Sequence, residues 1–250
     1  MENDLCSCAQ DADQTACSCQ KATSFAGPSK IVLHHLNNSR SQRILWLLEE
    51  LEIPYELKKY QRNAQRRAPK ELFDVNPLGR SPVITDGDVT IAESGAIVEY
   101  LIRRYGIGAN VPDDKWVDNI YFTHYAEGSL QPHLANRLLY QLIPKRSPLI
   151  LRPLVGSIFK QVDSTLVEPE LKRHGKFIED HLTKTKGWFA GGPNITSADY
   201  MMSYGLETFI ARAPEHAGPK MIEYVKKVQA RPAYKRALEK GGEYHYELHD

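Results

Sequence analysis

The residues from Asn76 to Ser94 contain the clearest chemical pattern in the chain. A turn, Asn76-Pro77-Leu78-Gly79, precedes Pro82, which stands at the start of a short apolar run. Proline has no N–H for a sheet, so Pro82 belongs at a strand start or an edge, and an X-Pro bond is where a cis peptide costs least. A cis bond there would turn the backbone groups of Val83 outward, where they could pair with the backbone of a ligand.

Glu93 and Ser94 place a carboxylate and a hydroxyl at the start of a helical segment. Backbone N–H groups at a helix N-terminus lack intrahelical partners, so they can bind an anion. We therefore expect this corner to hold a small zwitterionic peptide, with the peptide carboxylate on the N–H groups and its ammonium on Glu93.

The elements that position this corner follow the order β-α-β-α-β-β-α, which is a thioredoxin-like arrangement. Helix 1 is predicted over residues 41–51, because its apolar side chains recur at i, i+3, i+4 and i+7 and give it one buried face. The other predicted elements are strands over 30–36, 55–60, 82–84 and 89–91, and helices over 69–75 and 93–105.

Beyond Gly106 the pattern is helical throughout. The glycine-rich stretch there marks a linker over residues 106–116, which separates a domain of residues 30–105 from an all-helical domain of residues 117–250. A long helix is predicted from Asp114 towards Leu130, with Pro132 bending or ending it.

Residues Thr196 to Asp199 fit a helix capping box in which Asp199 stands for the usual Glu or Gln. The helix that follows carries Met202, Leu206 and Phe209. We interpret this box as purely structural and expect its loss to cost about 1 kcal/mol of stability.

Composition excludes several classes of protein. The chain has 250 residues, 42% hydrophobic and 25% charged, which suits two modest soluble domains or one large one. The formal net charge of +1 gives no reason to expect a nucleic-acid or membrane partner, and no apolar run approaches the ~18 residues of a membrane span. The N-terminal residues are acidic and lack a basic-then-apolar pattern, so we expect no secretory signal or mitochondrial presequence and a cytoplasmic location.

All four cysteines lie near the N-terminus, as Cys6-Ser-Cys8 and Cys17-Ser-Cys19. Residues 1–29 show neither helical nor strand periodicity, so we predict a disordered tail. Four thiolates could bind Zn²⁺ or Cu⁺, but a two-residue step is tighter than the usual Cys-x₂₋₄-Cys of zinc sites. A redox-sensitive or simply reactive tail is an equal alternative, and the prediction is that function requires no metal.

The Asn-Pro-x-Gly turn, Pro82 and Glu93-Ser94 stand in the order and spacing of the glutathione transferases, and the chain resembles that family from about Ile31 to its C-terminus. Residues 39–48, SRSQRILWLL, and 231–242, RPAYKRALEKGG, are similar to a fungal and bacterial serine type. The resemblance implies a thioredoxin-like α/β domain, an all-α domain and a homodimer. It also implies an enzyme that conjugates its co-substrate, reduced glutathione, to small hydrophobic electrophiles. Such enzymes act in detoxification and stress response. A glutathione-dependent peroxidase activity is a further expectation.

A glutathione thiol must become a thiolate to attack an electrophile, yet its pKa is about 8.5, like that of a free cysteine. Lowering this pKa by ~2 units needs about 2.7 kcal/mol, which a helix N-terminus and one hydrogen bond to the anion supply together. Ser39, next to the start of helix 1 and at the position of the activating serine in serine-type relatives, is the predicted donor. Asn37, Asn38 and Ser41 stay open as alternatives, as does a role for Ser39 that is limited to capping the helix.

Several arginines near these elements have two interpretations. In the first interpretation, Arg40 and Arg43 are ordinary helix charges exposed to solvent. In the second, Arg40 attracts the carboxylates of the tripeptide. Arg67 and Arg80 lie on loops that could reach the glycyl end of the peptide. The resemblance thus implies a glutathione-binding set made up of Arg40, Arg80, Pro82, Val83, Glu93 and Ser94.

The first helix of the all-helical domain carries Tyr121, His124 and Tyr125, and Tyr204 follows later. In transferases this helix faces the thiol across a cleft, so these side chains would form a pocket for flat apolar electrophiles. The same spacing of three to four residues also serves ordinary core packing.

Two other functions compete with conjugation. The first is a non-catalytic binding or regulatory protein on the same fold, which would differ in whether the bound thiol ionises. The second, a thiol–disulfide oxidoreductase, is disfavoured because the thioredoxin-like half lacks Cys-x-x-Cys.

Overall fold

The computed structural model describes residues 30–106, 111, 114–185 and 187–248. Short apolar runs alternate with amphipathic helices in the first part of the chain, and they build a sheet covered by helices. The elements are β1 (Ile31–Leu36), α1 (Ser41–Glu50), β2 (Tyr55–Tyr60), α2 (Lys70–Phe73), β3 (Val83–Asp86), β4 (Val89–Ala92) and α3 (Ser94–Tyr105). The predicted thioredoxin-like order is confirmed.

The sheet has the strand order β2-β1-β3-β4, in which β1 and β2 run parallel and the other neighbouring pairs run antiparallel. The register places His34 opposite Val83, and Val83 opposite Ala92. β3 begins at Val83 and excludes Pro82, because proline has no N–H to give to the ladder. Gly87, with φ of 60°, makes the tight turn between β3 and β4.

The second part of the described chain is helical, as predicted. Its α-helices are α4 (Trp116–Tyr125), α5 (Gln131–Arg146), α6 (Arg152–Val162), α7 (Glu168–Thr185), α8 (Ser197–Arg212), α9 (Pro219–Gln229) and α10 (Pro232–Gly241). Short 3₁₀ segments, Leu149–Leu151 and Pro214–His216, precede α6 and α9.

The chain stays helical through Pro132, so of the two expectations for this proline, a bend or an end of the helix, the end is wrong. α4 continues through a π-helical turn, Ala126–Leu130, directly into α5, and Pro132 lies in the first turn of α5. A proline is tolerated at a helix start, because its missing N–H would have no α-helical partner there. A second π-helical turn, Asp163–Val167, joins α6 to α7 in the same way.

α8 lies at the centre of the helical part, and its residues from Ala198 to Phe209 are all buried. Trp46 of α1 packs against Tyr200 of α8 and Tyr234 of α10, with ring centroids 4.7 and 5.7 Å apart. One hydrophobic core therefore extends from the sheet and α1 into the helical part.

The capping box predicted at Thr196 is confirmed. The Thr196 backbone N–H and hydroxyl both donate to Asp199 Oδ2, at 2.9 and 3.0 Å. Asp199 is fully buried and also accepts bonds at Oδ1 from the Phe189 N–H, at 2.9 Å, and the Tyr224 hydroxyl, at 3.0 Å. The carboxylate thus fixes the start of α8 to the preceding loop and to α9.

Two predicted segments lie partly or wholly outside the described residues. They are the tail of residues 1–29, with Cys6, Cys8, Cys17 and Cys19, and the linker, of which residues 107–110 and 112–113 are not described. Among the helices that the structure describes, none combines the length and the apolar character needed to cross a bilayer.

Candidate functional site

A cavity of about 410 Å³ opens beside the start of α1, between the sheet domain and the helices. Five arginines line it, and none of the described lining residues is acidic. The lining residues are Leu36, Ser39, Arg40, Arg62, Arg66, Arg67, Ala68, Phe73, Leu78, Gly79, Arg80, Ser81, Gln131 and Tyr204. This composition favours a ligand with net negative charge.

Ser39 lies on the wall of this cavity and is only 5% exposed. Its Oγ lies 2.8 Å from Ser41 Oγ and accepts a 3.2 Å hydrogen bond from the Ser41 backbone N–H. The structure therefore brings two serine hydroxyls together at the helix start.

The Ser41 hydroxyl in turn lies 2.9 Å from Nδ1 of His35. Burial, and secondly the charge of Lys59, lower the pKa of His35 to about 4, so this imidazole is neutral at neutral pH. Ser41 has one hydroxyl proton for two acceptors, the Leu36 carbonyl at 3.2 Å and Ser39 Oγ at 2.8 Å. If His35 Nδ1 donates to Ser41, and Ser41 donates to Ser39 in place of Leu36, the Ser39 proton is left free for an anion in the cavity. Three neutral groups could then act as one relay of donors towards a thiolate.

The two asparagines that competed with Ser39 bond to the backbone. Asn37 Oδ1 accepts from the Arg62 N–H at 3.0 Å, and Asn38 Oδ1 accepts from the His245 N–H at 2.8 Å. Neither belongs to the described lining of the cavity. Of the alternative donors, Ser41 is the one that touches Ser39.

The Asn76–Pro82 segment forms a compact loop, and its residues 78–81 line the same cavity. Gly79 has φ of 57°, and a side chain there would collide with the Phe73 ring. The Ser81 hydroxyl donates to the His34 carbonyl at 2.9 Å and accepts from the Leu36 N–H at 3.3 Å, which ties the loop to β1. The Ser81–Pro82 peptide bond is cis, and both Pro82 and Val83 are buried.

Glu93 and Ser94 occupy the start of α3, as the sequence predicts. Glu93 is exposed and has φ of 74°, whereas Ser94 is buried. Such a backbone conformation costs about 1–3 kcal/mol for a residue with a side chain and is concentrated at functional sites. Within the described part of the chain, the Glu93 side chain makes no capping hydrogen bond to its own helix, which leaves the carboxylate available to a ligand.

Arg40 and Arg43 converge on one carboxylate from the helical part. Their Nη1 atoms lie 3.0 and 3.2 Å from Glu127 Oε1. Arg43 is 1% exposed and its guanidinium lies over the Tyr204 ring, so the expectation of a solvated charge is wrong for this residue. Burial raises the pKa of Glu127, but the charges of Arg43 and Arg40 outweigh it and hold that pKa below its ordinary value.

Sequence reasoning missed three polar lining residues, Arg62, Arg66 and Gln131, and placed Tyr204 with the electrophile site instead. Arg62 and Arg66 belong to the same basic loop as Arg67, and the density of arginine in that loop was the available signal. Gln131 lines the cavity from α5, and Tyr204, seen in the sequence as an aromatic of the helical part, lines it from α8. Gln131 and Tyr204 lie at least 50 residues after Ser81 in the chain, so the local spacing of residues gave no sign of their contacts with the cavity.

Tyr121, His124 and Tyr125 lie together on α4, but around a second cavity, of about 500 Å³. This cavity is also lined by Val117, Ile120, Gly128 and Ser129, and it shares no described lining residue with the first. Tyr121 is exposed, whereas Tyr125 is buried and its hydroxyl lies 2.5 Å from His174 Nδ1. Burial raises the pKa of Tyr125, so it is a neutral phenol at neutral pH.

Comparison with known proteins gives a consistent result. Residues 28–103 match the family described as "Glutathione S-transferase, N-terminal domain". The chain is 35% identical over 218 residues to glutathione S-transferase 3 of Schizosaccharomyces pombe, which covers 84% of this chain and 87% of that protein. It is 31% identical over 223 residues to glutathione S-transferase 1 of Saccharomyces cerevisiae, with 84% and 94% covered.

A solved glutathione S-transferase from Actinobacillus pleuropneumoniae has the same fold. It superposes with a TM-score of 0.69 at 28% identity, over 86% of this chain and 95% of that one. The thioredoxin-like sheet, the all-helical second part and the near full-length similarity to two fungal transferases agree with one another. The chain therefore belongs to the glutathione transferase family of enzymes.

Proposed function

We propose that this enzyme binds reduced glutathione in the arginine-lined cavity and conjugates it to electrophiles as a cytoplasmic homodimer. Ser39 is the proposed hydrogen-bond donor to the thiolate. The observation that carries this proposal is the position of the Ser39 hydroxyl, on the cavity wall beside the N-terminus of α1. A helix N-terminus favours an anion by about 0.3–1 kcal/mol, and a hydrogen bond to a charged group adds about 1.5–3 kcal/mol.

The chemical step needs no protein nucleophile. The bound thiol gives its proton to solvent, and the sulfur electron pair of the thiolate forms a C–S bond with the electrophile. The leaving group departs with the electron pair of its broken bond, or an added proton completes the product when the acceptor is an activated double bond. Ser39 donates to the sulfur before attack, and this interaction weakens as the negative charge leaves the sulfur.

The charges of the cavity suit the tripeptide. Glutathione carries two carboxylates and one ammonium, so it is anionic even before its thiol ionises. We assign Glu93 to the ammonium, and Ser94 and the α3 N–H groups to the neighbouring carboxylate. The proposed binding set is completed by the backbone of Val83 after Pro82, and by Arg40 and Arg80. Of this set Arg40 and Arg80 belong to the described lining of the cavity, whereas Pro82, Val83, Glu93 and Ser94 do not.

The proposed electrophile site comprises Tyr121, His124 and Tyr125. An apolar acceptor would stack on these rings, and the 500 Å³ of space beside them suits a small aromatic molecule. Replacement of Tyr121 by Ala should then raise the KM for the electrophile and leave glutathione affinity unchanged. A KM that responds instead to replacement of Tyr204, which lines the first cavity, would move the acceptor there.

The proposed homodimer has a candidate surface on α4. Trp116, Val117 and Ile120 are 54%, 58% and 45% exposed, which is costly for large apolar side chains in a lone chain. Val117 and Ile120 also line the second cavity, whereas Trp116 does not, so Trp116 is the residue to change. Light scattering should give twice the chain mass for the wild type and a monomer for Trp116→Glu. A dimer that survives this substitution would place the interface elsewhere.

The test of activation is the ultraviolet absorbance of the thiolate of bound glutathione, titrated against pH. Thiolate that appears about two units below the free pKa of about 8.5 supports an activating transferase. Glutathione that binds but ionises as in water would leave a non-catalytic scaffold as the better description. Turnover of an organic hydroperoxide, measured in parallel, tests the expected peroxidase activity.

A further inference from the structure

A side-chain cluster outside the glutathione site joins α5 to α7. His133 of α5 and Glu170 and His174 of α7 offer one ligand atom each, and these atoms all lie within 4.8 Å of one another. Glu170 and His174 are four residues apart, so both project from the same face of α7. We propose that these three residues form a binding site for a divalent transition metal, with Zn²⁺ as the best match.

The donor set decides the class of metal. Two imidazole nitrogens and one carboxylate oxygen suit zinc, whereas calcium and magnesium prefer oxygen ligands throughout. Three protein ligands would leave a fourth tetrahedral position for water. Ni²⁺, Co²⁺ and Cu²⁺ accept the same nitrogen and oxygen donors, so they can serve as probes of the site.

The surroundings of His174 orient its ring for this task. The Tyr125 hydroxyl lies 2.5 Å from Nδ1 of His174. In the tautomer in which Nδ1–H donates to the Tyr125 oxygen, Nε2 is the nitrogen left for a metal. A hydrogen bond to the second ring nitrogen is the usual support of a metal-binding histidine. The His133 ring lies beside it, with ring centroids 5.1 Å apart.

Arg173 acts as a competitor for the proposed metal. It is exposed and binds the Glu170 carboxylate through both Nε, at 3.3 Å, and Nη2. A divalent cation that takes this carboxylate must displace the guanidinium. Removal of Arg173 should therefore strengthen metal binding. If the Arg173–Glu170 ion pair is only structural, its removal should leave metal affinity unchanged.

A metal at this position would be bound by side chains of both α5 and α7 and would hold the two helices together. It would bind the folded chain and not the unfolded one, so the melting temperature should rise with the logarithm of the metal concentration above Kd. The proposal is independent of glutathione binding, because Ser39, Glu93 and the arginine-lined cavity contribute none of the three ligands. The metal site adjoins the proposed electrophile site through Tyr125, which bonds to His174.

Titration of the full-length protein with Co²⁺ tests the proposal, with visible absorption as the readout. Cobalt on two imidazoles and a carboxylate gives d–d bands without the thiolate charge-transfer band that the N-terminal cysteines would produce. We expect one site, a loss of at least 10-fold in affinity for His174→Ala and Glu170→Gln, and a gain for Arg173→Ala. His245→Ala, which removes an exposed histidine outside the cluster, is the matched control.

Two outcomes would overturn the proposal. One is affinity that is equal in the wild type and in both His174→Ala and Glu170→Gln. The other is binding that disappears when the four cysteines are replaced by serine, because the metal would then belong to the tail. A rise in melting temperature with Zn²⁺ in the cysteine-free chain, abolished by Glu170→Gln, would support it.

Discussion

The Ser41 hydroxyl oxygen lies 2.9 Å from His35 Nδ1 and 2.8 Å from the Ser39 hydroxyl oxygen. All three side chains are buried, and the lowered pKa of His35 keeps its ring neutral. Ser39, which faces the glutathione cavity, is therefore hydrogen-bonded to Ser41, and Ser41 is in turn hydrogen-bonded to the neutral imidazole of His35. Its hydroxyl is oriented before any ligand arrives, which reduces the free energy lost on ordering it.

Replacement of Ser39 by Ala should raise the pKa of bound glutathione by about 1–2 units, because a hydrogen bond to an anion contributes about 1.5–3 kcal/mol and one pKa unit equals about 1.4 kcal/mol. Glutathione affinity should change little, since the peptide's charged ends bind elsewhere. Thiolate absorbance against pH is the measurement, with the exposed Ser164→Ala as control. An unchanged pKa would transfer the donor role to Ser41 or Asn38.

Replacement of Ser41 by Ala should raise the same pKa, but by less than loss of Ser39. It removes only the hydroxyl that contacts Ser39 from behind, and the Ser39 hydroxyl would still reach the sulfur. The double variant should then match Ser39→Ala alone, because the two hydroxyls act in series. Additive shifts would instead mean that each serine touches the thiolate separately.

Glu93 allows the carboxylate and the backbone to be tested separately. Both Glu93→Ala and Glu93→Gly should weaken glutathione binding several-fold, because each removes the proposed partner of the ammonium. Only glycine relieves the strain of φ 74°, so Glu93→Gly should unfold at a higher denaturant concentration than Glu93→Ala. Calorimetric titration and urea unfolding provide the two readouts, and full affinity in either variant would refute the proposed contact.

Glu49 should make stability depend on pH. It is buried and binds Arg236 and Lys240 of α10 and Tyr55 of β2. Burial raises its pKa, but the bonds from Lys240, Tyr55 and Arg236 outweigh it, so the folded pKa lies below the ordinary 4.5. Its contribution is complete above pH 4.5 and is lost as pH falls through the lower folded value.

We therefore expect Glu49→Gln to lower the free energy of unfolding by about 1–3 kcal/mol at pH 7. The difference from wild type should shrink as the pH falls below 4.5. Urea unfolding across this range is the measurement, and Glu239→Gln, an exposed change on α10, is the control. A difference that stays constant with pH would show that packing, and not the charge, is responsible.

Asp199→Ala should cost about 2–5 kcal/mol, more than the ~1 kcal/mol of an ordinary cap. The sequence revealed only the capping box, whereas the folded carboxylate also satisfies the Phe189 N–H and the Tyr224 hydroxyl. Asp180→Ala, which breaks an exposed ion pair with Lys176, should cost under about 1 kcal/mol. Equal losses in the two variants would show that the buried network is unimportant.

Local patterns predicted the parts of the structure that local chemistry controls. The spacing of apolar residues identified α1, Pro82 marked the start of β3, and the Thr196–Asp199 box marked the start of α8. Each of these features depends on residues within about one helical turn or one strand. The same holds for the positions of Glu93 and Ser94 at the start of α3.

Contacts between distant segments could not be predicted in this way. The burial of Arg43 depends on Glu127, which lies 84 residues later. The sequence around Arg43 contains no pattern that predicts this partner. The contribution of Gln131 to the cavity likewise depends on how α5 approaches the loops of the sheet. Pro132 predicts a bend or an end of the helix, and the helix continues through it because a π-helical turn, which has no distinct sequence signature, precedes it.

The π-helical turn at Ala126–Leu130 makes the chain sensitive to a change in length. A π turn holds one residue more than an α turn over nearly the same rotation, so it keeps α5 in phase with α4 despite the extra residue. Loss of a single residue there would restore regular α-helix and leave Gln131 on the cavity and His133 beside α7. Insertion of one more residue would instead rotate everything beyond it by about 100°, since an α-helix has 3.6 residues per turn. Evolution should therefore tolerate a one-residue deletion in this segment more readily than a one-residue insertion.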